Sequence, residues 1–84
     1  MPTKIVSMEQ LKAESEEEAG FFILLNHGLR SSKDIAWDTE AQTFHILNHI
    51  DQTKQHLTER QLMDEGLTHI GYAMRRGALF KDDS

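Results

Sequence analysis

The chain has 84 residues, no cysteine and a formal net charge of −5 with its five histidines neutral. Without cysteine there is no disulfide framework and no thiolate metal site, and an acidic balance argues against a nucleic-acid backbone as partner, which wants a basic footprint. Apolar content of 38% with 27% charged is ordinary for a soluble globular chain; no apolar run nears the about 20 residues of a membrane span, and Met1-Pro2-Thr3-Lys4 does not open a signal peptide, so the expected compartment is the cytoplasm.

The length predicts a single small α+β domain over 1–84, with 81–84 as a frayed tail. A chain this short buries a modest share of its surface, so its stability is marginal or helped by a partner subunit. Charge is unevenly spread. Residues 1–20 hold two lysines and five glutamates, whereas residues 67–81 hold Arg75, Arg76 and Lys81 and no acid. The two ends can attract one another, within a subunit or between two. Protonating all five histidines would bring the formal charge to zero, so colloidal stability should fall through the histidine range.

Lys4-Ile5-Val6 reads as a short strand or an extended lead-in. Ser7 offers an N-cap with Gln10 three residues on, and Val6 and Leu11 have the spacing of a hydrophobic staple, which predicts a short helix from Met8 to Glu14. Ser15 with Glu18 repeats the capping box. Glu16 to Glu18 would then occupy a first turn, and the run Phe21-Phe22-Ile23-Leu24-Leu25 the second half of a central helix. Gly28 suits the left-handed position past its end, with Leu29 folded back on Leu24. A fully buried strand is the rival, because a run this short does not separate the two by periodicity.

Arg30 to Lys33 is polar and reads as a loop. Asp34 to Asp38 puts Ile35 and Trp37 on one face, and Thr39 to Gln42 is a polar turn. From Thr43 to Asp51, Phe44, Ile46 and Ile50 face one way with Asn48, while His45, Leu47 and His49 face the other. Two such runs around a polar link predict an antiparallel hairpin, and Gln55-His56-Leu57 returns after a turn at 51–54 as a third strand. A helix over 40–55 is the alternative, with Phe44, Leu47 and Ile50 on one side. Thr58 and Gln61 form a capping box for a helix from Glu59 to about Glu65, ended by Gly66. Thr68 caps a last helix to Arg76, with Leu67 and Tyr72 at staple spacing and Gly77 as its stop. Ala78-Leu79-Phe80 is a short apolar strand or clasp. The expected fold is therefore α+β: an N-terminal helix or helices, a small antiparallel two- or three-stranded meander, and two short C-terminal helices.

No motif names a reaction. On a strand, His45 and His49 stand roughly 13 Å apart, too far to share an ion. On a helix, His45, His49 and His56 would line one stripe and make a metal site. Exposed histidines on a sheet face are the plainer reading. Ser31 or Ser32 with a histidine and Asp34 has the ingredients of nucleophilic catalysis, but no nucleophile elbow surrounds either serine. Arg75 and Arg76 suit the negative end of a helix dipole, or form a small basic patch for an acidic segment such as Glu16 to Glu18. Gly28 to Lys33 lacks Walker spacing and follows a predicted helix C-terminus, so it reads as a connection rather than an anion site. Trp37 is core on a sheet face, or a partner anchor if exposed.

The expected function is a non-enzymatic interaction or regulatory module that binds another protein or forms a homodimer. Its surface would comprise His45, Leu47, His49, Trp37, Arg75 and Arg76. The alternative is a metal- or small-ligand-binding protein using His45, His49 and His56, and a small hydrolase ranks third. No cofactor, nucleic-acid or membrane partner is indicated.

Overall fold

Burial with a period of two organises most of this molecule. The computed structural model describes residues 1–64 and 68–83. Within them the chain forms β1 (Thr3–Lys4), α1 (Met8–Glu14), β2 (Ala19–Leu24), β3 (Arg30–Asp38), β4 (Thr43–Asn48), β5 (Lys54–Thr58), α2 (Glu59–Met63), α3 (Ile70–Arg76) and β6 (Leu79–Lys81). The strands make one six-stranded sheet in the order β1-β6-β2-β3-β4-β5, and every neighbouring pair is antiparallel. The expected two- or three-stranded meander is corrected to this larger sheet, which dominates the fold and carries three short helices.

The difference begins at residues 19–24. The predicted central helix is a strand, and a central one, paired with β3 on one side and β6 on the other. Phe21 and Ile23 enter the core while Phe22 and Leu24 point to the opposite face. Five apolar residues in a row overfill one helical stripe, but they suit a strand flanked by neighbours on both edges. Ser15 caps the C-terminus of α1 instead of opening a helix: its N–H donates to Lys12 O, and its buried hydroxyl donates to Leu11 O at 2.6 Å. Gly28 does take the left-handed conformation, φ 77°, but inside a 3-10 turn (Asn26–Gly28) that links β2 to β3. Leu29 is 65% exposed rather than folded onto the chain.

Residues 30–33, expected as a loop, are the first half of β3. Their polar side chains alternate like the rest of the strand, and Ser31 and Lys33 face inward opposite Ile23 and Phe21. Backbone pairing with β2 supplies what the side chains do not advertise. The hairpin and its return strand form, so residues 43–48 are strand and not helix, but β4 ends at Asn48, and Ile50, expected beside Phe44 and Ile46, is 70% exposed in the turn. Asn48 pins the following turn by accepting the Ile50 N–H at 3.0 Å.

Helices form at the Ser7 and Thr58 caps but not at the Ser15–Glu18 box. Ser7 Oγ accepts the Gln10 N–H at 3.1 Å, although Val6 is exposed and makes no staple. The Thr58–Gln61 capping box is complete. The expected end of α2 at Glu65 and Gly66, and the staple residue Leu67, lie outside the described residues. α3 starts one residue later than the Thr68 cap implies, with His69 in the left-handed region at φ 64° and the Thr68 hydroxyl accepting the Ile70 N–H. Gly77 ends it, also left-handed, as expected. Lys81 is not frayed: it pairs with Phe21 in the sheet and its ammonium meets Glu14 at 2.8 Å. The attraction between acidic start and basic end is thus realised within one chain by this pair.

One core lies between the inner face of the sheet and the helices. Leu11 of α1, Leu62 of α2, and Ile70, Ala73 and Met74 of α3 pack with Phe21, Ile23, Ile35, Trp37, Phe44, Ile46, Leu57 and Leu79. All three helices therefore share one side. α2 and α3 approach closely at Gly71, where a Cβ would stand 2.8 Å from Met63 Cα and 3.0 Å from Leu62 O. Gly71→Ala should destabilise the protein by about 1–3 kcal/mol through overpacking, outweighing a helix-propensity gain of about 1 kcal/mol. Phe21→Ala should cost about 3–5 kcal/mol. Urea unfolding of the two variants checks both, and a more stable Gly71→Ala protein would mean that α2 and α3 do not meet there.

Candidate functional site

The face opposite the helices carries the side chains that the core leaves out. The register places Phe22 and Leu24 of β2 there, with Ser32, Asp34, Ala36 and Asp38 of β3, His45 and Leu47 of β4, and Lys54 and His56 of β5. Phe22 stacks on Phe80 of β6 at 5.3 Å between centroids and 15° between planes. The Arg30 guanidinium lies 4.2 Å over Phe22, and the Lys4 ammonium 5.9 Å over Phe80. Each cation covers apolar surface while keeping its charge at the surface, so Phe22 is only 4% exposed on a face without a helix.

The histidines divide into two groups. His45 and His56 are register partners across β4 and β5, and their rings stack at 4.1 Å and 22°. The Asn48 N–H donates to Thr53 O at 2.9 Å, which makes that pair hydrogen-bonded. Alternation along an antiparallel ladder then makes His45 and His56 a non-hydrogen-bonded pair, the kind whose side chains stand closest. His49 lies just beyond β4. Its N–H donates to Ser32 O and its Nε2 meets Asp34 Oδ2 at 3.1 Å. His45 Nε2 stands 3.6 Å from Asp38 Oδ2. The three histidines named from sequence therefore do not form one group. Among the described residues no three His, Cys, Asp or Glu side chains already converge as a metal-binding set.

The other predicted site residues scatter. Trp37 faces the core, 8% exposed, against Phe44 at 4.4 Å and beneath the Lys12 ammonium at 4.7 Å. It offers no surface to a partner. Arg75 and Arg76 occupy the last turn of α3, on the helix side of the molecule. Arg76 stacks on Tyr72 at 5.2 Å, and Arg75 Nη1 donates to Met63 O at 3.5 Å. Glu16 to Glu18 are exposed between α1 and β2. Of the residues suggested for nucleophilic catalysis, Ser31 is buried inward, while Asp34 and His49 meet on the outer face. Acyl transfer would also need a serine hydroxyl hydrogen-bonded to that imidazole, and no such bond joins Ser32 to His49 among the described residues.

Asp38, Phe22 and Phe80 belong to this face and were not singled out from sequence, and Asp34 was named there only as part of a catalytic set. The available signal was charge complementarity across the predicted hairpin: two aspartates on one strand oppose two histidines on the next. Asp38 is pre-oriented. Its Oδ1 accepts the N–H groups of Glu40 and Ala41 at 3.0 and 3.1 Å, which leaves Oδ2 toward His45. The Ala41 bond chiefly holds this carboxyl below the usual carboxylate value, with smaller help from Glu40 and His45. On the inner face, Lys33 is 4% exposed, and burial pushes its ammonium below the ordinary lysine value, partly offset by Asp51.

No protein-family model, no curated protein and no solved structure matches this chain. No described helix is long and apolar enough to cross a membrane.

These shifts set opposite pH dependences. Asp38, with its folded pKa below the unfolded 3.8, stabilises the protein above that value and loses the contribution as pH falls through the folded one. Asp38→Ala should therefore lower the urea midpoint at neutral pH, with a deficit that narrows below pH 3.8. Lys33, with its folded pKa below 10.5, weakens the fold at neutral pH, and the cost fades as pH rises toward 10.5. Lys33→Met should raise the midpoint at pH 7 and gain progressively less in alkali. A loss of stability in that variant at pH 7 would show that the Asp51 interaction outweighs burial.

Proposed function

We propose that the protein is a non-enzymatic binding module of the cytoplasm that uses the helix-free face of its sheet to hold another protein, a second copy of the chain included. One observation carries the reading: all three helices cover the same face, and the opposite face of a six-stranded sheet presents Leu24 and Leu47 among paired charges and a cation-covered aromatic stack. A non-obligate protein interface is about as apolar as the rest of a protein surface, so two leucines set among charges are compatible with one. A sheet face suits this better than the β5 edge. That edge is five residues long, and its Thr58 N–H already donates to Gln61 Oε1 at 2.9 Å, which blunts it against strand addition.

A photo-reactive amino acid placed at position 47, on the open face, and at position 13, an exposed site on α1, tests the reading in cells. Adducts of protein mass are expected from position 47 and not from position 13. Equal yields at the two positions, or none at 47, would overturn it. An adduct at twice the chain mass would identify the partner as a second copy.

A further inference from the structure

The register lines up three potential metal ligands, Glu18, His45 and His56, in one row with the small Ala36, and places Asp38 two residues further along β3. His45 and His56 oppose one another on β4 and β5, and Ala36 of β3 is the next residue in the same cross-strand row, paired with His45. Ala19 pairs with Ile35, so the row continues to Glu18, just before β2. Glu18, His45 and His56 line one hollow, and Ala36, Asp38 and His45 line a second beside it, with His45 between the two. We infer that the first hollow is a binding site for a divalent transition-metal ion of the zinc class, with His45 and His56 as imidazole ligands, Glu18 as the carboxylate that completes it, and Asp38, on the other side of His45, as the carboxylate that orients that ring.

The geometry sets what must move. Two imidazole nitrogens on one tetrahedral zinc, each 2.0–2.1 Å from the ion, lie about 3.3 Å apart. The stacked rings are 4.1 Å apart at their centroids, and they belong to a non-hydrogen-bonded pair, so the distance is already close to that span. Stacking aims the ring edges side by side rather than at a common point. Each ring must therefore turn about its side-chain torsions, which its exposure permits. Asp38 keeps Oδ2 at 3.6 Å from His45 Nε2 while its other oxygen is tied down. From there it holds the His45 N–H opposite the ion, as carboxylates beside metal-bound histidines commonly do. Exposed Glu18 has the reach of a flexible side chain across Ala36. The two carboxylates balance the charge of a divalent ion, whereas Lys54, which also lines the hollow, opposes it. His49 takes no part, because Asp34 holds it at 3.1 Å. The inference is independent of the protein-binding reading.

The test is calorimetric titration of Zn2+ into untagged, chelator-stripped protein near pH 7.5, with native mass spectrometry for stoichiometry. One ion per chain is expected. His45→Ala and His56→Ala should each weaken binding by at least about tenfold, and Asp38→Asn or Glu18→Gln by about 10–100-fold where the carboxylate acts as ligand or orienting group. Lys54→Gln should tighten it. His49→Ala should leave it within about twofold. All these side chains are on the surface, and matched thermal melts without metal check that each variant folds. A dissociation constant weaker than about 1 mM, or equal losses from His49→Ala and His45→Ala, would overturn the inference.

Discussion

The fold depends on β2 lying between the two ends of the chain. Phe21 and Ile23 reach the core from its inner side, β3 hydrogen-bonds one edge, and β6, from the C-terminus, hydrogen-bonds the other. With β6 inserted between β1 and β2, the N-terminal and C-terminal segments close the sheet together. Detaching β6 would expose an edge of the most apolar strand, pull Leu79 out of the core and Phe80 off Phe22, and break the Glu14–Lys81 pair at once. For so small a domain that closure is the main source of order, because local helices of five to seven residues are too short to persist alone.

Closing the sheet in this way also makes the two faces unequal. The helices arise at the β1–β2 and β5–β6 connections and pack on the same side. The opposite face must then satisfy itself with what the strands carry. It does so by two devices: cations laid over the Phe22–Phe80 stack, and aspartates on β3 set against His45 of β4 and His49 just beyond it. The first hides apolar area without a helix. The second leaves titratable groups at the surface, where ion pairs add little to stability and remain available to a ligand. A face assembled this way can be solvated and still offer chemistry, which is why it is the centre of both functional readings.

Several local features were legible from residue types alone. Ser7, Thr58 and Gly77 marked helix ends, because a cap is a contact between a side chain and backbone only a few residues away. The 34–38, 43–48 and 55–57 strands showed in their alternation, and with them the common face of His45 and Leu47. His49 and His56 could not be assigned partners in this manner. A histidine's neighbour across a sheet depends on register, and register is set by turns and by the whole apolar pattern. The strand at residues 30–33 shares that cause.

What the sequence by itself determined is local: where helices can start and stop, which stretches alternate, that cysteine chemistry is absent and that the chain is acidic. What only the tertiary structure decided is how Phe21 to Leu24 are used. Their composition fits a helix or a strand equally well at that length, and the choice was made by segments that pair with them from residues 30–33 and 79–81. The placement of Ala36 beside His45 and His56, with Glu18 and Asp38 at the margins, was decided in the same way. They come from four separate segments of the chain, and only the hydrogen-bonded register of the antiparallel strands brings them together around His45.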